Sequence, residues 1–212
     1  MPVLDVHADS LATSTELSSF SVEGFIKPLD VISVLNSGKI RFILVGLYGI
    51  GGWINKPRAT QDVDVLVSSR QHNKAVNRLI SAFPHLEPDN LPVGTCLREP
   101  KSKRPVIDVK RPNEPLYRHA LKNSRSAKSS GQRFSIPSLE MALAMRFAVM
   151  VSHDRPWEDK YQAAHDFISM AKSNPRINLK NLRQFGELVH PGQGKELIEK
   201  VKQVRAGEKF TL

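Results

Sequence analysis

The chain has one cysteine, Cys96, in 212 residues. A single thiol excludes an intrachain disulfide and a cysteine-built zinc site, and it fits a reducing compartment. Cys96 reads first as a core residue and only second as a nucleophile. No apolar run approaches the roughly 20 residues that a membrane helix needs. The opening Met1-Pro2-Val3-Leu4-Asp5 has neither the basic start nor the hydrophobic stretch of a secretory signal. These absences predict a cytoplasmic protein with no membrane partner. His153 and His165 are too far apart for an i, i+4 zinc pair, and no acid at the usual spacing supplements them.

What is plentiful is positive charge. Against 21 Asp and Glu stand 31 Lys and Arg, a formal net charge of +10. That balance favours a polyanionic partner, nucleic acid first, with a soluble basic surface as the plain alternative. A hydrophobic fraction of 40% beside 25% charged residues is ordinary for a globular protein, and the length suits one compact domain or two small ones.

Along the chain, residues 1–20 are rich in Ser, Thr, Asp and Ala without periodicity and read as a loosely held arm. Pro28 to Leu35 predicts a short helix ended by Asn36-Ser37-Gly38, and Ile40 to Val45 a buried strand. Gly46, Gly49, Gly51 and Gly52 follow closely. A second strand through Asp62 and Asp64 ends at Ser68-Ser69, which can cap a helix with Ala75, Val76, Leu79, Ile80 and Phe83 on one face before Pro84 stops it. Further strands are expected at Val93 to Leu97 and Val106 to Val109, on either side of the basic loop Lys101-Ser102-Lys103-Arg104. Antiparallel pairing of these strands beside the Asp62 strand would bring Asp108 to the acid pair. Asn123 to Arg133 reads as a mobile basic loop. Beyond it the pattern turns helical, at Ser138 to Val151, Trp157 to Lys172, Leu179 to Val189 and Lys195 to Val204. The chain is thus expected to hold an α/β domain over residues 21–133 and a helical domain over 134–212.

The chemistry concentrates in the second strand. Residues i and i+2 of a strand share a face, so Asp62 and Asp64 project together while Val63, Val65 and Val67 point into a core. Two neighbouring carboxylates repel and call for a cation to neutralise them. Asp108, between Ile107 and Val109, is a third acid in an apolar strand, where an unpaired carboxylate is costly. It can serve the same site or pair with Arg104 or Lys110. Arg58 can bind a ligand or satisfy the strand carboxylates. Asp154, Arg155, Asp159 and Asp166 are expected to form an ion-pair network tying two helices, with a binding role as the alternative.

These residues carry a resemblance. A strand ending at a glycine turn, a short helix and a strand of the form Asp-hydrophobic-Asp resembles the nucleotidyltransferase superfamily that includes DNA polymerase β. The string Pro57-Arg58-Ala59-Thr60-Gln61-Asp62-Val63-Asp64 is similar to its bacterial branch containing the AbiEii toxins of toxin–antitoxin systems. Ile136-Pro137-Ser138-Leu139-Glu140, Ala144-Met145-Arg146 and Asp154-Arg155-Pro156 are similar to the helical region of that branch. The likeness covers roughly residues 40 to 170. It implies an α/β fold in which a nucleotidyltransferase-type mixed sheet with flanking helices is followed by a C-terminal helical region. It also implies an enzyme that moves a nucleotide from NTP to an acceptor hydroxyl, with RNA as acceptor, a tRNA 3′ end favoured, and an antitoxin protein as partner. A small-molecule or protein hydroxyl is the alternative acceptor, and a nucleotide- or RNA-binding protein that has lost turnover is the alternative function. On this resemblance Asp62, Asp64 and Asp108 are catalytic and hold Mg²⁺, with Mn²⁺ as a substitute, while Gly46, Leu47, Arg58 and Thr60 bind the nucleotide. One departure stands out: the family has two small residues at the turn, whereas this chain has Gly46-Leu47, with Gly51-Gly52 as the rival register.

Overall fold

The computed structural model describes residues 4–5, 26–54 and 60–211. Most of the expected N-terminal arm, and Arg58 with its neighbours Pro57 and Ala59, lie outside the described residues. The chain divides into two compact units. One runs up to Gly52 and resumes ahead of the acid strand as far as Pro137; the other takes Trp53 and Ile54 together with the chain from Ser138 onward.

The first unit is built on a five-stranded mixed sheet in the order β2-β3-β6-β5-β4. Its strands are β2 (Phe42–Leu44), β3 (Val63–Val67), β4 (Glu87–Leu91), β5 (Gly94–Arg98) and β6 (Pro105–Lys110). β5 and β6 are antiparallel, as their short connection dictates, but β6 runs parallel to β3. The intervening helix α3 (His72–Ala82) and the β4–β5 hairpin make that crossover possible. The residues flanking the acids explain why β3 and β6 sit at the centre: Val63, Val65, Leu66, Val67, Val106, Ile107 and Val109 are all buried. Val31, Ile32 and Leu35 of α1 (Pro28–Ser37) and Ala75 and Leu79 of α3 are buried as well, and the two helices lie against each other.

α3 is tied to β6 through a buried histidine. Arg111 Nη2 donates to His72 Nδ1 (3.2 Å), and because a guanidinium can only donate, His72 keeps its proton on Nε2 and donates it to the Val109 carbonyl (3.0 Å). β4 escaped the sequence pattern because Glu87-Pro88-Asp89-Asn90-Leu91 is poor in strand formers. As the edge strand it tolerates Pro88, which no outer neighbour needs as a donor. Helix α4 (Pro115–Lys122), likewise unexpected, starts with Pro115 in its first turn.

The basic stretch expected to be a mobile loop is instead a hairpin of β7 (Ser124–Ser129) and β8 (Gln132–Pro137). Its turn, Ser130-Gly131, has φ of 46° and 78°, the doubly positive pair that two-residue hairpin connections favour. Ala127, Phe134 and Ile136 are buried while Lys128 and Arg133 stay exposed opposite each other. Composition suggested a loop, yet the alternation of a half-buried strand was present. The two-residue strand β1 (Leu4–Asp5) pairs parallel to β7, and β8 lies against β2.

The second unit is helical: α5 (Leu139–Val151), α6 (Trp157–Ser173), α7 (Leu179–Val189) and α8 (Gln193–Ala206). Ser138 caps α5 by accepting from the Met141 N–H (3.3 Å), and Asn178 caps α7 through Asn181 (3.1 Å). α5 is buried from Leu139 through Met145 and again at Phe147 and Met150, which makes it the central helix of this unit. The expected four-residue ion network separates into two pairs. Arg155 meets Asp159 on the surface (3.7 Å), whereas the buried Asp166 of α6 meets Arg146 of α5 (3.2 Å). Asp154 lies in the turn ahead of α6 and takes part in neither pair. Among the described residues, no helix is long and apolar enough to cross a membrane.

Candidate active site

Strand register assembles the site. Asp64 of β3 stands opposite Asp108 of β6, Asp108 opposite Cys96 of β5, and Cys96 opposite Asp89 of β4. Because a sheet presents alternate residues to each face, this row crosses four strands on one face while Val63, Val65, Ile107 and Val109 fill the core behind it. Asp62 is on the lead-in to β3, two residues before Asp64 and therefore toward the same face.

The acid pair already has a cation. Lys110, two residues beyond Asp108 on β6, places Nζ 2.8 Å from Asp64 Oδ1 and 3.2 Å from Asp108 Oδ2. Asp64 is 14% exposed, Asp108 26% and Lys110 28%, so the contacts form largely out of water, where charge interactions are strong. Burial pushes the Asp108 carboxyl above the usual carboxylate range; the Lys110 ammonium opposes this and the Asp64 charge adds to it. For Lys110 itself burial favours the neutral form, but the Asp64 and Asp108 carboxylates outweigh it and raise its pKa. Burial and the Asp108 charge push the Cys96 thiol up to about 11. Of the two bases the sequence offered to Asp108, the partner is therefore Lys110; Arg104 instead donates to the Gln61 side chain (3.1 Å).

Gly46 presses against this cluster. It opens the short helix α2 (Gly46–Ile50) with φ of 60°, and a Cβ there would lie 1.8 Å from Asp64 Oδ2. Only glycine satisfies both conditions. The contact is fixed by the neighbouring backbone, where the Val45 N–H donates to the Asp64 carbonyl (2.9 Å). Gly51 and Gly52 belong to the 3₁₀ turn that follows. Leu47 buries its side chain in the core. Thr60 donates its hydroxyl to Asp62 Oδ1, and its carbonyl accepts from Tyr48 (3.4 Å).

A divalent metal finds no ready place in this arrangement. Among the described residues, no three acidic, histidine or cysteine side chains converge as a metal-binding group, and the Lys110 ammonium stands where Asp64 and Asp108 would share an ion. Lys110 is the site residue that the sequence reading left among structural partners. Its signal was present: a lysine at i+2 from an acid in a strand must share that acid's face. Asp108 was expected beside the acid pair through antiparallel strands; β6 instead runs parallel to β3, and the place of Cys96 in the row was not visible because it depends on register across three strands.

No protein-family profile matches the chain, and no curated protein matches it in sequence. Solved structures do. A crystal structure of an antigenic nucleotidyltransferase-like protein from Paracoccidioides brasiliensis matches at a TM-score of 0.53 and 17% identity, over 95% of each chain. The mixed sheet with flanking helices and the helices that follow are thus a nucleotidyltransferase-type fold. Looser likenesses are to the antibiotic-resistance factor ANT(2″)-Ia. Its solution structure matches at a TM-score of 0.45 and 11% identity, over 84% of this chain and 87% of that one. Its complex with adenylyl-2″-tobramycin matches at 0.43 and 12%, over 84% and 92%.

Proposed function

We propose that this protein transfers a nucleotide from an NTP to an acceptor hydroxyl. The observation that supports it best is the pairing in register of Asp64 and Asp108 on parallel strands, with Gly46 held against Asp64 at a positive φ. A turn without a Cβ at Gly46 leaves room for close approach of a phosphate chain to the backbone. In the reaction the acceptor oxygen attacks the α-phosphorus, the bond to the pyrophosphate oxygen breaks, and the hydroxyl proton goes to a carboxylate. Asp108 suits that role, since burial makes it a stronger base than an exposed aspartate. Asp62 and Asp64 supply the neighbouring negative charge, and Thr60 orients Asp62.

RNA is the acceptor favoured by the net charge of +10 and by the resemblance, with a tRNA 3′ end in first place and an AbiEii-like toxin, held by an antitoxin, as the biological setting. Incubating the protein with each α-labelled NTP and total cellular RNA, then resolving the RNA on a gel, tests this directly. A labelled RNA band with one or more NTPs is expected, and its absence with all four sets RNA aside. Binding to that RNA should weaken steeply with salt, because phosphate contacts release counterions.

A second reading has an observation of its own. The Lys110 bridge offsets part of the charge of the acid pair and engages both carboxylates, as in a protein that keeps the fold and binds nucleotide without turnover. Titrating Mg²⁺-NTP and then measuring pyrophosphate separates the two, since both proteins bind and only the enzyme releases.

A further inference from the structure

We infer that the outward face of the β7–β8 hairpin, centred on Lys128 and Arg133, is a docking ribbon for the sugar–phosphate backbone of RNA. This rests on the RNA-acceptor reading and deepens it by naming the surface. From Pro115 to Leu139 the chain carries five Lys and Arg and no Asp or Glu, and all five, Arg118, Lys122, Arg125, Lys128 and Arg133, are exposed. Register sets Lys128 directly opposite Arg133. Like charges facing each other across a strand pair, with Cβ atoms roughly 5 Å apart, destabilise a hairpin, and an anion laid across them removes that cost. Among the described residues, no ion pair engages either of them. β1 sets one acid, Asp5, beside Lys128 in register, and a single carboxylate leaves the ribbon basic.

The hairpin presents these charges from a held backbone. Ala127, Phe134 and Ile136 anchor its other side in the core, and Asn36 of α1 donates to the Gln132 side chain (3.1 Å) and to the Arg133 carbonyl (2.9 Å). On the outward face the next pair is Ser126 opposite Ser135. Lys, Arg and Ser are side chains that hold phosphate and sugar oxygens. Among the described residues of this face no aromatic ring offers a base a surface to stack on, so binding is tolerant of base sequence. Pro137, at the end of β8, lies against α2, where a Cβ on Gly49 would come 3.5 Å from Pro137 Cδ. The ribbon thus adjoins the short helix that Gly46 opens beside Asp64.

Fluorescence anisotropy of a labelled RNA stem-loop with a single-stranded 3′ end, measured without NTP over a series of KCl concentrations, tests the surface. Lys128→Gln/Arg133→Gln should bind about tenfold more weakly than wild type near about 0.1 M salt, and lose about 1.5 from the slope of log affinity against log salt. Lys172→Gln/Lys180→Gln removes the same charge from exposed positions of the helical unit and should bind as wild type does. Wild-type affinity and slope in the ribbon variant, or equal losses in the two double variants, overturn the inference. The ribbon variant should melt no lower than wild type, since it removes a repulsion; a lower melting temperature makes the pair structural and overturns it as well. Lys128→Arg/Arg133→Lys keeps both charges and should keep wild-type binding. Unlabelled RNA of unrelated sequence should displace the label and phosphatidylserine vesicles should not; displacement by the vesicles overturns RNA as the partner. Binding is read without NTP and transfer by pyrophosphate release, so the two ideas fail in different experiments.

Discussion

Two groups of buried charge can be compared within this chain. In the helical unit the buried Asp166 meets Arg146 at 3.2 Å, with the exposed His165 ring 3.9 Å away, and Asp166 is 2% and Arg146 16% exposed. On the sheet of the first unit Asp64 and Asp108 share Lys110, and Asp62 stands nearby, accepting from the Thr60 hydroxyl. The first arrangement is balanced and links two helices. The second keeps more acid than base, which costs stability and is worth keeping where a ligand with positive charge, or a proton in transit, completes it. Charge balance, more than burial, separates the pair that joins two helices from the cluster proposed as the active site.

The contrast can be pressed hardest from the structural side. Arg146→Met leaves Asp166 buried beside an apolar neighbour, and breaking such a pair costs on the order of 3–5 kcal/mol. Urea unfolding should show that loss, and a change near zero would mean that Asp166 has other support. Gly46→Ala comes next, because a methyl group collides with Asp64 in a backbone conformation that alanine resists. A loss of about 1–3 kcal/mol in the same assay is expected, with transfer activity falling further than stability does. Asp64→Asn should move stability by less than about 1 kcal/mol, since it removes one of two repelling charges and leaves Lys110 its bond to Asp108. A large destabilisation would make the acid cluster structural after all.

The smallest effect concerns Cys96, in register with Asp108. Its thiol ionises at about 11 in place of the ordinary 9.0, so alkylation by iodoacetamide should be slow at pH 8 and accelerate only as the pH approaches 11. The sign for stability follows. The folded thiol holds its proton more tightly than the unfolded one, so its contribution is full below pH 9 and is lost as pH rises toward 11. Rapid labelling at pH 8 would show that the thiol is not shielded.

How far the sequence reveals this contrast depends on the range of the interactions. Alternation placed Val63 and Val65 in the core and left the intervening acid facing away from it, and the caps and breakers bounded the helices of the second unit, α7 from Leu179 to Val189 among them. These are local signals. β4 and the β7–β8 hairpin were masked by loop-like composition; the hairpin still carried strand alternation, whereas β4 is a strand only through its pairing with β5. The parallel join of β3 to β6 sets Asp64 against Asp108, and no local pattern encodes it. Lys110 lies between the two cases. Its face was readable from its spacing, but its bridge to a carboxylate on another strand was not. The same holds for Asp166, whose partner Arg146 is 20 residues away on a different helix.

The central claim is that the acid-rich face transfers nucleotides. It meets its most direct test in pyrophosphate release from each NTP, with an RNA acceptor present, by wild-type protein and by Asp64→Asn at matched stability. The account predicts release by the wild type with at least one NTP and none above background by the variant. Equal release by the two proteins, or none by the wild type with any NTP, would contradict it.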